Sequence, residues 1–156
     1  MTPIAIPDHL RRAIYAHAVS LFPDECCGYL TGPAGAEGPP GEQHVDLVHA
    51  CRNAQVDGGH PIAPERGAET GFVIAGAELL AFARSFDSDH PARVVYHSHT
   101  NGRAYFSDID GEMAAGPAYP VQHLVIGVAD GAVTEVAQFA WSDADRAYVE
   151  IARWRP

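Results

Sequence analysis

Positive charge is in short supply in this chain: ten basic side chains stand against twenty acidic ones, for a formal charge of −10. Such a surplus repels phosphate backbones and leaves no basic cluster for DNA, RNA or anionic lipid, which argues against nucleic-acid and membrane-surface partners. Long apolar runs are missing too, since no stretch approaches the roughly 20 residues of a helical membrane span. The opening MTPIAIPDHLRRAI lacks the basic segment, apolar run and cleavage site of a leader, so a cytoplasmic location is expected. Cysteine is scarce as well. Three residues, with Cys26 and Cys27 adjacent, make a poor disulfide framework in a chain of this length and fit a reducing compartment.

What is present suffices for a core. A length of 156 residues with 47% hydrophobic content corresponds to one compact domain over 1–156. Leu10, Ala13, Ile14, Ala18 and Leu21 follow helical spacing, and Asp8 is placed to cap a helix running from about Asp8 to Leu21. Glu25 to Thr31 reads as a buried strand with Glu25 at its head, and His44 to Ala50 as a second, separated by the surface loop GPAGAEGPPGE at 32–42. Residues 51–68 have no period and form a long loop, of the kind that often carries function. Thr70 to Ile74 suggests a short strand, and AGAELLAFARSF a helix with Ala77, Leu80, Ala81 and Arg84 in register. Arg93 to Tyr96 is a strand leading into His97, and Ser107 heads a short helix. VQHLVIGVAD and AVTEVAQFAW form a hairpin about Asp130-Gly131, after which Tyr148 to Trp154 is either a strand or a short helix.

The chemistry concentrates in YHSHTNGRAYFSDID. His97 and His99 lie two apart at a strand end, where the period of two aims both imidazoles the same way. Asp110, on the next helix, can be folded back as a third ligand. Two nitrogens and one oxygen leave a tetrahedral zinc one open position, the arrangement of a catalytic site, where the pKa of coordinated water falls to about 7. Glu25, an acid at the head of an apolar strand, is the candidate base, and Ser107 the candidate donor to the oxyanion formed when an amide carbonyl is attacked. Bland readings stand beside these: Ser107 also reads as a helix cap, Cys26 and Cys27 as packing residues, His44, His49, His60, His90 and His123 as core or surface residues, and Arg103 and Tyr105 as channel or solvated loop.

The run His97-Ser98-His99, seven residues, Ser107, two residues, Asp110, with Glu25 upstream, resembles the signature of the JAMM, or MPN-plus, zinc metalloprotease family. The resemblance extends from the first helix to about Trp141. It implies an α/β fold, a mixed curved β-sheet flanked by helices and similar to that of cytidine deaminases, holding one Zn2+ per chain on His97, His99 and Asp110, with Glu25 as general acid/base and Ser107 as oxyanion stabiliser. The small size and the motif's surroundings look most like stand-alone bacterial members that act at the Gly-Gly C-terminus of small ubiquitin-like sulfur-carrier proteins. Two departures touch no ligand: Thr100 and Phe106 stand where many members have proline, and Ala75-Gly76 replaces an Asp-Pro before the central helix. Hydrolysis of a small-molecule amide by the same site and a non-catalytic MPN scaffold role remain alternatives, as does a homodimer.

Overall fold

A computed structural model describes residues 1–34, 43–59 and 61–156. Most of the 32–42 loop and His60 therefore lie outside the described residues. In chain order the elements are α1 (Asp8–Leu21), β1 (Cys27–Thr31), β2 (Leu47–Cys51), a 3-10 turn (Ala54–Asp57), α2 (Gly76–Ser85), β3 (Ala92–His99), α3 (Asp108–Ala115), β4 (Gln122–Ala129), β5 (Ala132–Ser142) and β6 (Ala147–Trp154). The strands form one six-stranded sheet in the order β2-β1-β3-β4-β5-β6. Only β3 and β4 pair in parallel; the other neighbours are antiparallel, so the sheet is mixed, as expected. Pairing with β5 makes the last segment a strand.

The period of two sorts β3 between two cores. Val94 and Tyr96 join Leu124, Ile126 and Val136 on the face where α1 packs through Leu10, Ile14 and Ala18. Full burial of such a Leu or Ile contributes about 1.5–3 kcal/mol. Val95, His97 and His99 face the other way, toward the cluster of Cys27, Tyr29 and Phe82 that seats α2. Adjacent Cys26 and Cys27 thereby fall on opposite faces, both fully buried. Among the described residues no helix is long and apolar enough to cross a membrane.

Several local expectations change. Asp8 is not the cap of α1: Pro7 is, and its carbonyl accepts the N–H groups of Leu10 and Arg11, both at 3.0 Å. Asp8 sits in the first turn, where its charge suits the helix dipole. Thr70 to Ile74 is not a strand, because its backbone is used by a side chain: Gly71 O and Val73 N both bond to the Asn53 amide. The first two strands are shorter than expected, starting at Cys27 and Leu47. The helix over 76–85 packs by Phe82, while Leu80 is 50% exposed.

Candidate metal centre

The antiparallel register of β1 on β3 pairs Cys27 with His97. One step further out, Cys26 O accepts Ser98 N–H at 3.1 Å and Ser98 Oγ accepts Cys26 N–H at 2.7 Å. The ladder thus carries Glu25 level with His99 although the strand formally ends at Cys27. Glu25 is held on both sides of its backbone. Its N–H donates to Ala68 O at 2.7 Å, and its carbonyl accepts Asn53 Nδ2 at 3.0 Å.

Asp110 arrives by a different device. Ser107 is the N-cap of α3 and Asp110 its third residue; Ser107 Oγ accepts Asp110 N–H at 3.1 Å, and Asp110 Oδ2 accepts Ser107 N–H at 2.9 Å. This reciprocal capping box turns the Asp110 carboxylate back across the helix start. Asp110 Oδ2 comes to 3.3 Å from Nε2 of both His97 and His99, and those two nitrogens are 3.2 Å apart. Ser107 Oγ uses a lone pair in the cap, so its O–H stays available to donate.

The structure brings together all five residues singled out from the sequence. Glu25, His97 and His99 alone offer donor atoms within 4.8 Å of one another, so two triads are geometrically open, one completed by Glu25 and one by Asp110. The donor set fits a divalent cation. Three lone-pair-bearing atoms, two imidazole nitrogens and a carboxylate oxygen, converge on one point inside the protein, and only a proton or a cation there relieves their mutual repulsion.

In the side chains by themselves, burial pushes the Glu25 carboxyl up to about 8, partly offset by His97. Burial also works against charge on His97, yet Asp110 and then Glu25 carry it above its ordinary value. Asp110 is buried too, but the two imidazoles hold it well below the usual carboxylate range. His99 is lowered by burial.

Aromatic rings line the site, and hydrogen bonds fix the loop. Phe72 stacks on the His97 ring at 4.4 Å, and Tyr105 lies 4.5 Å from the His99 ring. An apolar cavity of about 580 Å³, lined in part by Phe72, Phe82, Val95, Phe106 and Tyr148, reaches Asp110. The His99–Ser107 connection is clamped to β5 and β6: Ala104 N–H donates to Glu135 at 2.8 Å, and Arg153 donates to Ala104 O at 2.7 Å. Gly127 lies directly beneath it, where an added Cβ would meet Gly102 O at 2.6 Å. Gly127→Ala is expected to lift this loop at a cost of about 1–3 kcal/mol, the usual penalty of overpacking. A thermal melt that does not move would contradict the close approach.

Sequence reasoning missed Asn53. This buried amide donates to Glu25 O and Gly71 O and accepts the N–H groups of Gln55 and Val73 at 3.0 and 3.2 Å, tying the 53–73 loop to Glu25. Its only local signal is an asparagine in a long loop. Of the residues read as packing, Cys26 and Cys27 are buried thiols whose pKa burial raises, Cys26 to about 12, which is not the setting of a nucleophile. His49 stacks on Tyr29, His90 pairs with Asp46, and His123 is buried among Phe106 and Tyr148. His44 and Arg103 are exposed.

A mixed sheet with two strand-borne imidazoles, a capped carboxylate and a buried glutamic acid has the make-up of a hydrolase domain with a site that could hold a metal ion. The chain belongs to the prokaryotic homologs of the JAB domain, the family that matches residues 7–143. It is similar to the CysO-cysteine peptidases of Mycobacterium tuberculosis and Mycobacterium bovis, each 32% identical over 143 residues, covering 85% of this chain and 87% of the relative. Its fold is shared with a protein of Salinibacter ruber known from its solution structure (TM-score 0.60, 24% identity, 100% of this chain and 92% of the other). A protein of Desulfitobacterium hafniense, also known from its solution structure, has the same TM-score of 0.60 at 20% identity, covering 92% of this chain and 86% of the other.

Proposed function

We propose that residues 1–156 form one zinc-dependent peptidase domain, which hydrolyses an amide at the C-terminal Gly-Gly tail of a small ubiquitin-like sulfur-carrier protein. The observation that carries this reading is the convergence of His97, His99 and Asp110 within 3.3 Å of one another beside the buried Glu25. The substrate class follows the CysO-cysteine peptidases, which the chain matches over most of their length.

His97, His99 and Asp110 would hold the ion, with zinc favoured by two nitrogen donors and one oxygen. When bound, it supplies Lewis acidity and acidifies water. Glu25 takes the proton from the attacking water and returns it to the leaving amine, a task suited to a carboxyl whose pKa is raised toward neutrality. The Ser107 O–H donates to the carbonyl oxygen as negative charge gathers on it. The amide C–N bond breaks, the water oxygen remains on the glycine carboxylate, and the amine leaves protonated. Phe72 over His97 keeps bulk water from the imidazole.

The test is metal content per chain of freshly purified protein, by plasma mass spectrometry, with cleavage of a carrier extended beyond Gly-Gly followed by intact mass. About one zinc per chain and loss of the terminal residue, both abolished by a chelator and restored by zinc, is the expected result. A zinc-loaded protein that leaves such carriers intact and cleaves small amides would transfer the site to small-molecule hydrolysis.

A further inference from the structure

The 66–70 segment runs across the mouth of the site, pinned at both ends. Ala68 O accepts Glu25 N–H at 2.7 Å, and Glu69 O accepts the Thr100 hydroxyl at 2.9 Å, one residue beyond His99. Thr100, where many JAMM members carry proline, thus anchors this strap. Within it, Thr70 N–H closes a turn on Gly67 O at 3.1 Å, and Gln55 Nε2 holds Arg66 O at 3.0 Å. The strap therefore carries the half-buried Arg66 two residues before the carbonyl that holds Glu25 N–H, and three before the one that Thr100 holds beside His99.

The chain has twice as many acids as bases, 20 against 10. Arg66, like most of the chain's arginines, makes no ion pair among the described residues. Its guanidinium is nonetheless oriented, because one Nη1–H donates to Thr70 O at 2.7 Å. That single bond fixes the plane and leaves most of the five N–H donors unused. A positioned, unpaired guanidinium is the group that takes a carboxylate two-pronged.

We propose that Arg66 is a specificity-determining residue that binds the free α-carboxylate of the residue to be released. This rests on the peptidase reading above. An isopeptide's leaving amine belongs to a lysine side chain and brings no carboxylate next to the scissile bond, so Arg66 has nothing to receive there.

The experiment uses the zinc-loaded full chain and a carrier tail ending in Gly-Gly plus one residue, prepared as the free acid and as the C-terminal carboxamide. kcat/KM for each is measured with wild type, Arg66→Gln and Arg66→Lys, beside equilibrium binding of both tails, metal content and melting temperature. Wild type is expected to prefer the acid about ten- to a hundredfold, the range of a charged hydrogen-bonded pair. Arg66→Gln loses that preference through the acid alone, and Arg66→Lys restores part of it. Equal use of acid and amide by wild type, or an equal fall on both in Arg66→Gln, overturns the assignment. If wild type cleaves neither tail, the peptidase reading fails separately, and the binding arm still decides: acid-selective binding lost in Arg66→Gln supports the carboxylate site, and indifference to the carboxylate ends it.

Discussion

Replacing Glu25 by Gln is expected to lower turnover of an extended carrier tail by about 10²–10⁴-fold, the usual contribution of a positioned acid–base group, while leaving zinc bound. Glu25 is 5% exposed and is held by its backbone through Ala68 O and the Asn53 amide, contacts that Gln keeps unchanged. Gln also has the shape and neutrality of the protonated acid, the form that burial favours up to about pH 8, so the fold should tolerate it. The variant separates the two triads the geometry leaves open. If Asp110 completes the metal set, metal content stays near one per chain and only the rate falls. If Glu25 is itself a ligand, zinc is lost with the rate. Unchanged activity would remove Glu25 from the chemistry altogether.

Those parts of the fold and site that rest on local chemistry were legible in the sequence. The α1 limits follow from the spacing of Leu10, Ile14 and Ala18, and Asp130-Gly131 forms the β4–β5 turn with both residues at positive φ, as a tight hairpin requires. His97 and His99 share a face because a strand alternates, and the Ser107 to Asp110 spacing is that of a capping box. Contacts between distant segments could not be read this way. Residues 51–68 carry no period and Thr70–Ile74 only a β-prone composition, yet Asn53 ties Gly71 and Val73 to Glu25, Thr100 binds Glu69 O, and Phe72 covers His97. The Thr70–Ile74 strand was misplaced for the same reason: its β-prone residues find a buried amide in place of a neighbouring strand. The apolar cavity is likewise a product of α2, α3, β3 and β4 coming together.

Stripping the metal should alter how stability depends on pH, as well as lowering it. Two groups set the slope in the metal-free protein. Glu25 has a folded pKa raised from 4.5 to about 8, so its contribution is complete below pH 4.5 and is lost as pH rises through about 8. His97, raised above 6.5, has the same sign. Asp110 is depressed, so its contribution is present above 3.8 and disappears only in strong acid, well below the range of interest. His17, His49, His99 and His123 are lowered by burial; they cost stability as pH falls through 6.5 and are neutral in both folded and unfolded chains above it. Between pH 7 and 8 the metal-free melting temperature should therefore fall. A bound cation reverses the trend, since it displaces the proton shared by His97 and Asp110 and its affinity rises with pH. At a free concentration a thousandfold over Kd it adds about 4.1 kcal/mol. The gap between zinc-loaded and chelated melting temperatures should widen from pH 7 to 8 in the wild type, and Asp110→Asn, which removes the anion but can preserve the cap, should abolish the gap. Parallel pH profiles with and without zinc would mean that the ion binds away from the His97–Asp110 pair.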